Sequence, residues 1–193
     1  MGFDLRGFKP NNEPLPDEPA WLEQGDRAEE ARKAYISWQQ NTPGAYFRNE
    51  VWYWRTLWDF VCEVCDDILT EEDMEEGMGW SGHVISKTKA KKIAARLRKV
   101  DKDLEDHQID HERRMNNLPD EECDLCGGTG KRKDPLDEEK FSLFKSGPVG
   151  EIHCDDCNGK GIKRPFITKY PFKADNVRTF AEFCEYSGGF TIG

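Results

Sequence analysis

Four of the seven cysteines in this 193-residue chain fall in two copies of one pattern, Cys123-Asp-Leu-Cys126-Gly-Gly128-Thr-Gly130 and Cys154-Asp-Asp-Cys157-Asn-Gly159-Lys-Gly161. In each CxxCxGxG the two sulfurs stand on one side of a tight turn. The glycines let the chain double back so that backbone N–H groups aim at sulfur. Two such knuckles supply four thiolates, the number and type that complete a tetrahedral zinc shell with Zn–S near 2.3 Å. A shell closed by Cys123, Cys126, Cys154 and Cys157 leaves no position for water, so the expected cofactor is a single structural Zn²⁺. A doubled motif at this spacing is far more specific than one CxxC redox pair.

Other constellations carry weaker chemistry. Gly77-Met-Gly79-Trp-Ser-Gly82 matches GxGxxG, but Glu71 to Glu76 precede it where a dinucleotide site needs a strand, and their charge would repel phosphate. It reads as a loop. His107 and His111 lie one helical turn apart, yet Gln108 stands where a metalloprotease has its catalytic Glu, and both are expected on a solvated helix end. Cys62, Cys65 and Cys184 lie on apolar stripes and read as small core residues. The aromatic run Tyr46, Phe47, Trp52, Tyr53, Trp54 and Trp58 cannot all face one side of a helix. Some of these rings must pack on a second element or line a groove, where Trp52 could stack a base and Arg48 or Arg55 could hold its phosphate.

The elements that must position these residues follow from composition and periodicity. With 36% hydrophobic and 34% charged residues the core is lean, and the six Trp and eleven Phe must supply much of its burial. Residues 9–19 hold four prolines and form a tether. Asp26 with Glu29 suggests a capping-box start for a helix to about Gln40; Tyr46 to Leu69 is expected as the central helix; Ser86 caps a long helix reaching toward Asn116. Asp175 is the expected cap of a last helix, closed at Gly188 and Gly189 before a short strand, Phe190 to Ile192. Residues 119–165 lose helical periodicity. The fold class is therefore mainly α, of α+β type: a helical core domain (1–118 and 166–193) with a small zinc-binding β-hairpin ribbon (119–165).

Charge divides sharply along the chain. Residues 1–80 carry 18 acidic and 7 basic side chains, and nine carboxylates between Asp59 and Glu76 meet no Lys or Arg. A basic run follows, Lys87, Lys89, Lys91, Lys92, Arg96, Arg98, Lys99 and Lys102, and neighbouring helices of opposite sign are expected to attract each other. Nucleic-acid binding through the basic helix 87–102 is the weaker reading, because a net charge of -10 slows approach to a polyanion. No apolar run is long enough for a membrane span and the start MGFDLRGFKP lacks the order of a signal peptide, so a cytoplasmic protein is expected.

The two knuckles resemble half of the cysteine-rich zinc domain of DnaJ-type chaperones, which has four such repeats. The His-Pro-Asp triplet of those chaperones is absent here, so their activity does not carry over. The same two-knuckle site is similar to that of a small inhibitor of the tryptophan RNA-binding attenuation protein, which uses it to present a protein-binding surface. Across its length, through MGFD, Tyr46-Phe-Arg-Asn-Glu-Val-Trp52-Tyr-Trp54-Arg-Thr-Leu-Trp58, the knuckles, and Phe180-Ala-Glu-Phe183 to Ser187-Gly-Gly-Phe190, the chain resembles uncharacterised proteins of bacteriophages and bacteria. Against that pattern residues 13–42 look inserted. That resemblance brings no activity with it; the closed metal shell, the missing catalytic constellation and the acidic surface lead to the expectation of a non-catalytic, zinc-stabilised interaction protein, of phage type, that binds and modulates a host or bacterial protein in the host cytoplasm. Its contact is expected on the ribbon cations Lys131, Arg132, Lys133, Lys160, Lys163 and Arg164, or on the acidic 59–76 face. A small-ligand or nucleotide binder using the aromatic helix 46–58 is the alternative.

Overall fold

The computed structural model describes residues 2–22, 24–133 and 151–193. In chain order the elements are β1 (Gly2–Gly7), α1 (Asp26–Asn41), β2 (Tyr46–Glu50), α2 (Val51–Val64), α3 (Glu71–Glu76), β3 (His83–Ile85), α4 (Lys87–Lys99), α5 (Leu104–Asn117), β4 (Glu121–Glu122), β5 (Lys131–Lys133), β6 (Glu151–His153), β7 (Ile162–Lys163), α6 (Ala174–Tyr186) and β8 (Phe190–Ile192). The fold is α+β. The chain forms two compact units, Met1–Glu112 with Tyr170–Gly193, and Arg113–Lys169. No helix among the described residues is long and apolar enough to cross a membrane.

The first unit is built on an antiparallel sheet of order β2-β1-β8-β3. Alternation along each strand sends Phe3, Leu5, Phe47, Ile85, Phe190 and Ile192 to one face, where all are buried, and leaves Arg6, Arg48 and Val84 exposed. The buried face packs with α2, α4 and α6 in one core: Trp54, Leu57, Trp58 and Val61 from α2, Ala90, Ile93 and Leu97 from α4, and Val177, Phe180 and Cys184 from α6, each set at helical spacing. Trp54 stacks between Phe3 (centroids 5.1 Å apart) and Trp58 (5.3 Å). Its indole N–H donates to the Gly77 carbonyl at 2.8 Å, and that of Trp58 to Met74 at 3.1 Å. The GxGxxG segment is thus a loop over two indoles. A Cβ on Gly77 would lie 2.2 Å from the Trp58 ring, which accounts for that glycine by packing alone.

Three expectations are corrected. The central helix does not begin at Tyr46: Tyr46–Glu50 is strand β2, paired with β1 from Gly2↔Glu50 to Arg6↔Tyr46, and the helix runs from Val51 to Val64. Aromatic residues suit both strand and helix, and the partner that decides lies some forty residues upstream. The predicted N-caps shift by one or two positions, to Gly25 for α1 and Lys173 for α6, which places Asp26 and Asp175 in the first turns of their helices. The long helix from Ser86 breaks after Lys99, and its second part, α5, does not end in solvent over His107 and His111. His107 wedges between Phe60 (4.8 Å) and Phe172 (4.5 Å), and His111 Nε2 meets the Tyr170 carbonyl at 2.8 Å. Gln108 Oε1 accepts from the Ala174 N–H at 3.0 Å and so caps α6 from a neighbouring helix.

The acidic and basic stretches are spent partly on each other. Arg96 pairs with Asp67 at 2.8 Å, Arg98 with Glu185, and Lys89 with Asp73. Asp73 is the deepest of these, 2% exposed. It closes a capping box with Thr70 and receives His83 Nε2 at 2.9 Å, so one carboxylate joins α3, β3 and α4. Burial pushes its pKa up, but hydrogen bonds from Lys89, the Thr70 N–H, His83 and the Thr70 hydroxyl outweigh that and hold it well below the usual carboxylate range. A depressed folded pKa stabilises the fold above the unfolded value, near pH 4, and that contribution is lost as pH falls through the folded pKa. Replacing Asp73 by Asn is expected to cost about 1.5–3 kcal/mol at pH 7. In urea titrations the gap between wild type and variant should be full above about pH 4 and narrow below it.

Candidate metal centre

Residues 121–133 and 151–163 of the second unit form two strand–knuckle–strand segments that exchange partners. β4 pairs antiparallel with β7 (Glu122↔Ile162) and β5 with β6 (Lys131↔His153, Arg132↔Ile152). The strand entering each knuckle therefore bonds to the strand leaving the other. The expected zinc-binding β-hairpin ribbon is present, with its strands paired between the knuckles. The N–H of Cys123 donates to Gly161 O at 2.8 Å and that of Cys154 to Gly130 O at 3.0 Å, a reciprocal pair about a pseudo-two-fold axis. Gly130 and Gly161 have φ of +74° and +76°. A Cβ on Gly130 would lie 2.2 Å from Gly159 O, and one on Gly161 2.1 Å from Gly128 O. The last glycine of each motif lets one knuckle's backbone lie against the other's.

This packing gathers the four sulfurs. All four Sγ atoms lie within 4.8 Å of one another, with Cys123–Cys154 and Cys126–Cys157 each at 3.8 Å. A tetrahedron with arms of about 2.3 Å has edges of about 3.8 Å, so these cysteines are placed to hold one metal ion. The N–H groups of Gly130 and Gly161 point at Cys126 Sγ and Cys157 Sγ, each at 3.3 Å. The Cys157 N–H, ahead of burial acting the other way, holds the Cys154 thiol below its usual range, while burial pushes that of its neighbour Cys123 up, so the two contacting sulfurs share the cost of ionising. Cys123, Cys154 and Cys157 are buried and Cys126 half-buried. Among the described residues no other group of three or more His, Cys, Asp or Glu brings its ligand atoms together.

Charge around the sulfurs is balanced by residues whose pairing was not read from the sequence. Asp156 Oδ2 lies 3.4 Å from Cys123 Sγ, and Lys163 Nζ sits 2.9 Å from Asp156 and 3.4 Å from Asp124. Four thiolates around a divalent cation carry a net negative charge, which an added carboxylate worsens and the lysine offsets. The signal available in the sequence was Asp156 standing where the first knuckle has Leu125.

The other ribbon cations are engaged to different degrees. Arg132 meets Asp155 at 2.8 Å. Arg164 donates to the carbonyls of Met115 (2.5 Å) and Leu118 (2.6 Å) and to Asp120 (3.1 Å), so it caps the end of α5. Lys160 is exposed, Lys131 lies in β5, and Lys133 belongs to the same strand with its side chain outside the described residues. In the first unit Trp52 tilts against Tyr170 at 5.2 Å and the Arg55 guanidinium sits 6.0 Å from the same ring. Arg48 does not join them; it faces Asp4 at 3.8 Å on the outer side of the sheet. Burial pushes the thiols of Cys62 and Cys65 up to about 12 and that of Cys184 well above its ordinary value, as expected of core residues.

Compared with protein-family models, with curated proteins and with solved structures, the chain gives no match. The metal centre therefore stands on its geometry. That geometry separates glycines that look alike in sequence: Gly127 has φ of +55° with nothing within 4 Å of an added Cβ, unlike Gly130 and Gly161. Gly127→Ala should cost only about 1–2 kcal/mol and keep its metal. Gly130→Ala and Gly161→Ala should each abolish stoichiometric metal in the purified protein, measured by plasma mass spectrometry.

Proposed function

We propose that the chain is a non-catalytic protein-interaction module whose ribbon is built around one structural zinc ion. The observation that carries the reading is the four-sulfur cluster, all within 4.8 Å of one another and with two separations of 3.8 Å, which offers an ion a complete shell of four thiolates. A zinc held so has no open position at which to activate water or polarise a substrate. Its contribution is to hold a ribbon in shape. On this reading the exposed Lys160, with Lys131 beside the knuckles, forms part of the surface offered to a partner. The same reading takes a host protein as that partner, modulated by binding alone. The small-ligand alternative is disfavoured by the fate of the aromatic run. Trp54 and Trp58 spend their faces in the core, and Trp52 lies against Tyr170, which leaves few faces for a stacked base.

Two measurements test the proposal. Native mass spectrometry should find one zinc per chain, and a strong chelator should unfold residues 121–133 and 151–163 in hydrogen exchange while the sheet of the first unit stays protected. Affinity capture from bacterial lysate with the zinc-loaded protein should return one stoichiometric protein. An empty capture, joined to stabilisation by a nucleotide in thermal shift, would move the assignment to the small-ligand reading.

A further inference from the structure

Residues 1–80 of the first unit carry 18 acidic and 7 basic side chains, yet one side of α4 is basic. Around the helix, Lys87, Lys91, Ala95, Arg98, Lys99 and Lys92 fall on one continuous arc opposite the buried Ala90, Ile93 and Leu97. The flank of α4 that meets acids is a different one, where Lys89 reaches Asp73 and Arg96 reaches Asp67. On the exposed arc Arg98 pairs with Glu185, and Lys87 donates to the Asn12 side chain at 2.9 Å. Lys91, Lys92 and Lys99 have no ion-pair partner among the described residues.

Beside this arc lies a cleft of about 370 Å³ lined by Asn12, Lys91, Ala94, Ala95, Arg98, Glu185 and Tyr186. It exists because α4 carries the small Ala95 at an exposed position beside the buried Ala94, between the long side chains of Lys91 and Arg98. Its far wall is fixed: the N–H groups of Phe8 and Lys9 donate to Gly189 and Ser187 carbonyls at 2.8 and 2.9 Å, which straps the segment before Asn12 to the end of α6. The Tyr186 ring is 39% exposed and gives the cleft an aromatic side.

We infer that this cleft docks an acidic segment of a partner protein, with one apolar side chain over Ala94 and Ala95 against Tyr186 and flanking carboxylates on Lys91, Lys87 and Lys99. The inference rests on the interaction-module reading and places a contact of stated chemistry on α4. Charge complementarity selects the occupant, because unpaired cations on a chain of net charge -10 mark the place where an acidic partner is not repelled. A short peptide suits the site better than nucleic acid. The carboxylates of residues 59–76 border α4 through Asp67 and Asp73, and a long polyanion would run into their field.

The test is fluorescence anisotropy of the full chain with a fluorescein-labelled peptide made of Glu, Asp and Leu. Saturable binding that weakens with salt is expected for wild type. The double variant Lys91→Glu/Lys99→Glu should bind at least about 10-fold more weakly, and Ala95→Trp, which fills the cleft without altering charge, should lose a similar factor. All three proteins should melt at similar temperatures, since the altered positions are exposed. No binding at low salt, or binding unaffected by both variants, would overturn the docking site. So would tighter binding of labelled single-stranded DNA lost in the same variants, which would assign the face to nucleic acid. A lysate partner captured equally by wild type and the double variant would overturn the α4 site while leaving the interaction module standing.

Discussion

The two knuckles hold each other through very few contacts, and the ribbon depends on them. Among the described residues its buried apolar cluster consists of Cys123, Cys154 and Cys157 with Cys126 packed against it, which is to say of the ligands themselves. Two short strand pairs and a reciprocal pair of Cys N–H to Gly carbonyl bonds complete the framework. Without an ion, four sulfurs would be left in contact at these separations, and among the described residues of the ribbon no other side-chain core offsets the entropy of ordering the knuckles. A divalent cation changes that balance by an amount of order 10–16 kcal/mol in small zinc peptides, more than the net stability of many domains. The glycines follow from the same constraint. Two backbones can present two sulfurs each to a common point only if they approach more closely than a Cβ allows, as at Gly130 and Gly161.

The first unit solves the problem of a lean composition by other means. Few aliphatic residues are available, so flat rings are stacked: Phe3, Trp54 and Trp58 in series, with Phe180 edge-on to both tryptophans. Both indole N–H groups end on carbonyls of the segment 74–77, so the polar atoms that large aromatics bring into a core are satisfied there. Carboxylates supply the remaining ties. Asp73 anchors three elements at one point, and Arg178 joins Asp101, Glu105 and Asp175 around the start of α6. Such networks explain how a chain that is one-third charged still forms a closed core, because a share of its charges are internal struts.

What could be read from the sequence was whatever is local. The metal ligands were legible because a CxxC turn and its glycines set sulfur geometry within eight residues, and the helices α4 and α6 were legible from stripes such as Ala90, Ile93, Ala94 and Leu97. The α+β class followed from the loss of periodicity beyond Leu118. Strand β2 was not legible. Its alternation covers five residues of types that also suit a helix, and only pairing with Gly2–Arg6 decides between them. The crossed strand pairing of the ribbon was hidden for the same reason, since nothing within one knuckle says whose strand it will meet. His107 and Gln108 were misread as solvated because their partners, Phe172 and Ala174, lie more than sixty residues on. Polar side chains that finish a neighbour's helix leave no apolar stripe to detect.

The pseudo-symmetry of the knuckles also says where ribbon identity must lie. Cysteines and glycines at matching positions are consumed by the ion and by the close backbone approach, and they read alike in both halves. The positions free to differ are those between and after them: Leu125 against Asp156, Gly127 against Asn158, Thr129 against Lys160. They do differ. Leu125 is 55% exposed, although a ribbon this small has every reason to bury an aliphatic side chain, while its counterpart Asp156 is tied to Lys163 beside Cys123. One knuckle thus presents an apolar side chain and the other a neutralised ion pair. The pseudo-symmetry therefore extends through the ligands and the close-packed glycines and stops at these side chains, which leaves the surface of the proposed interaction module unlike at its two ends.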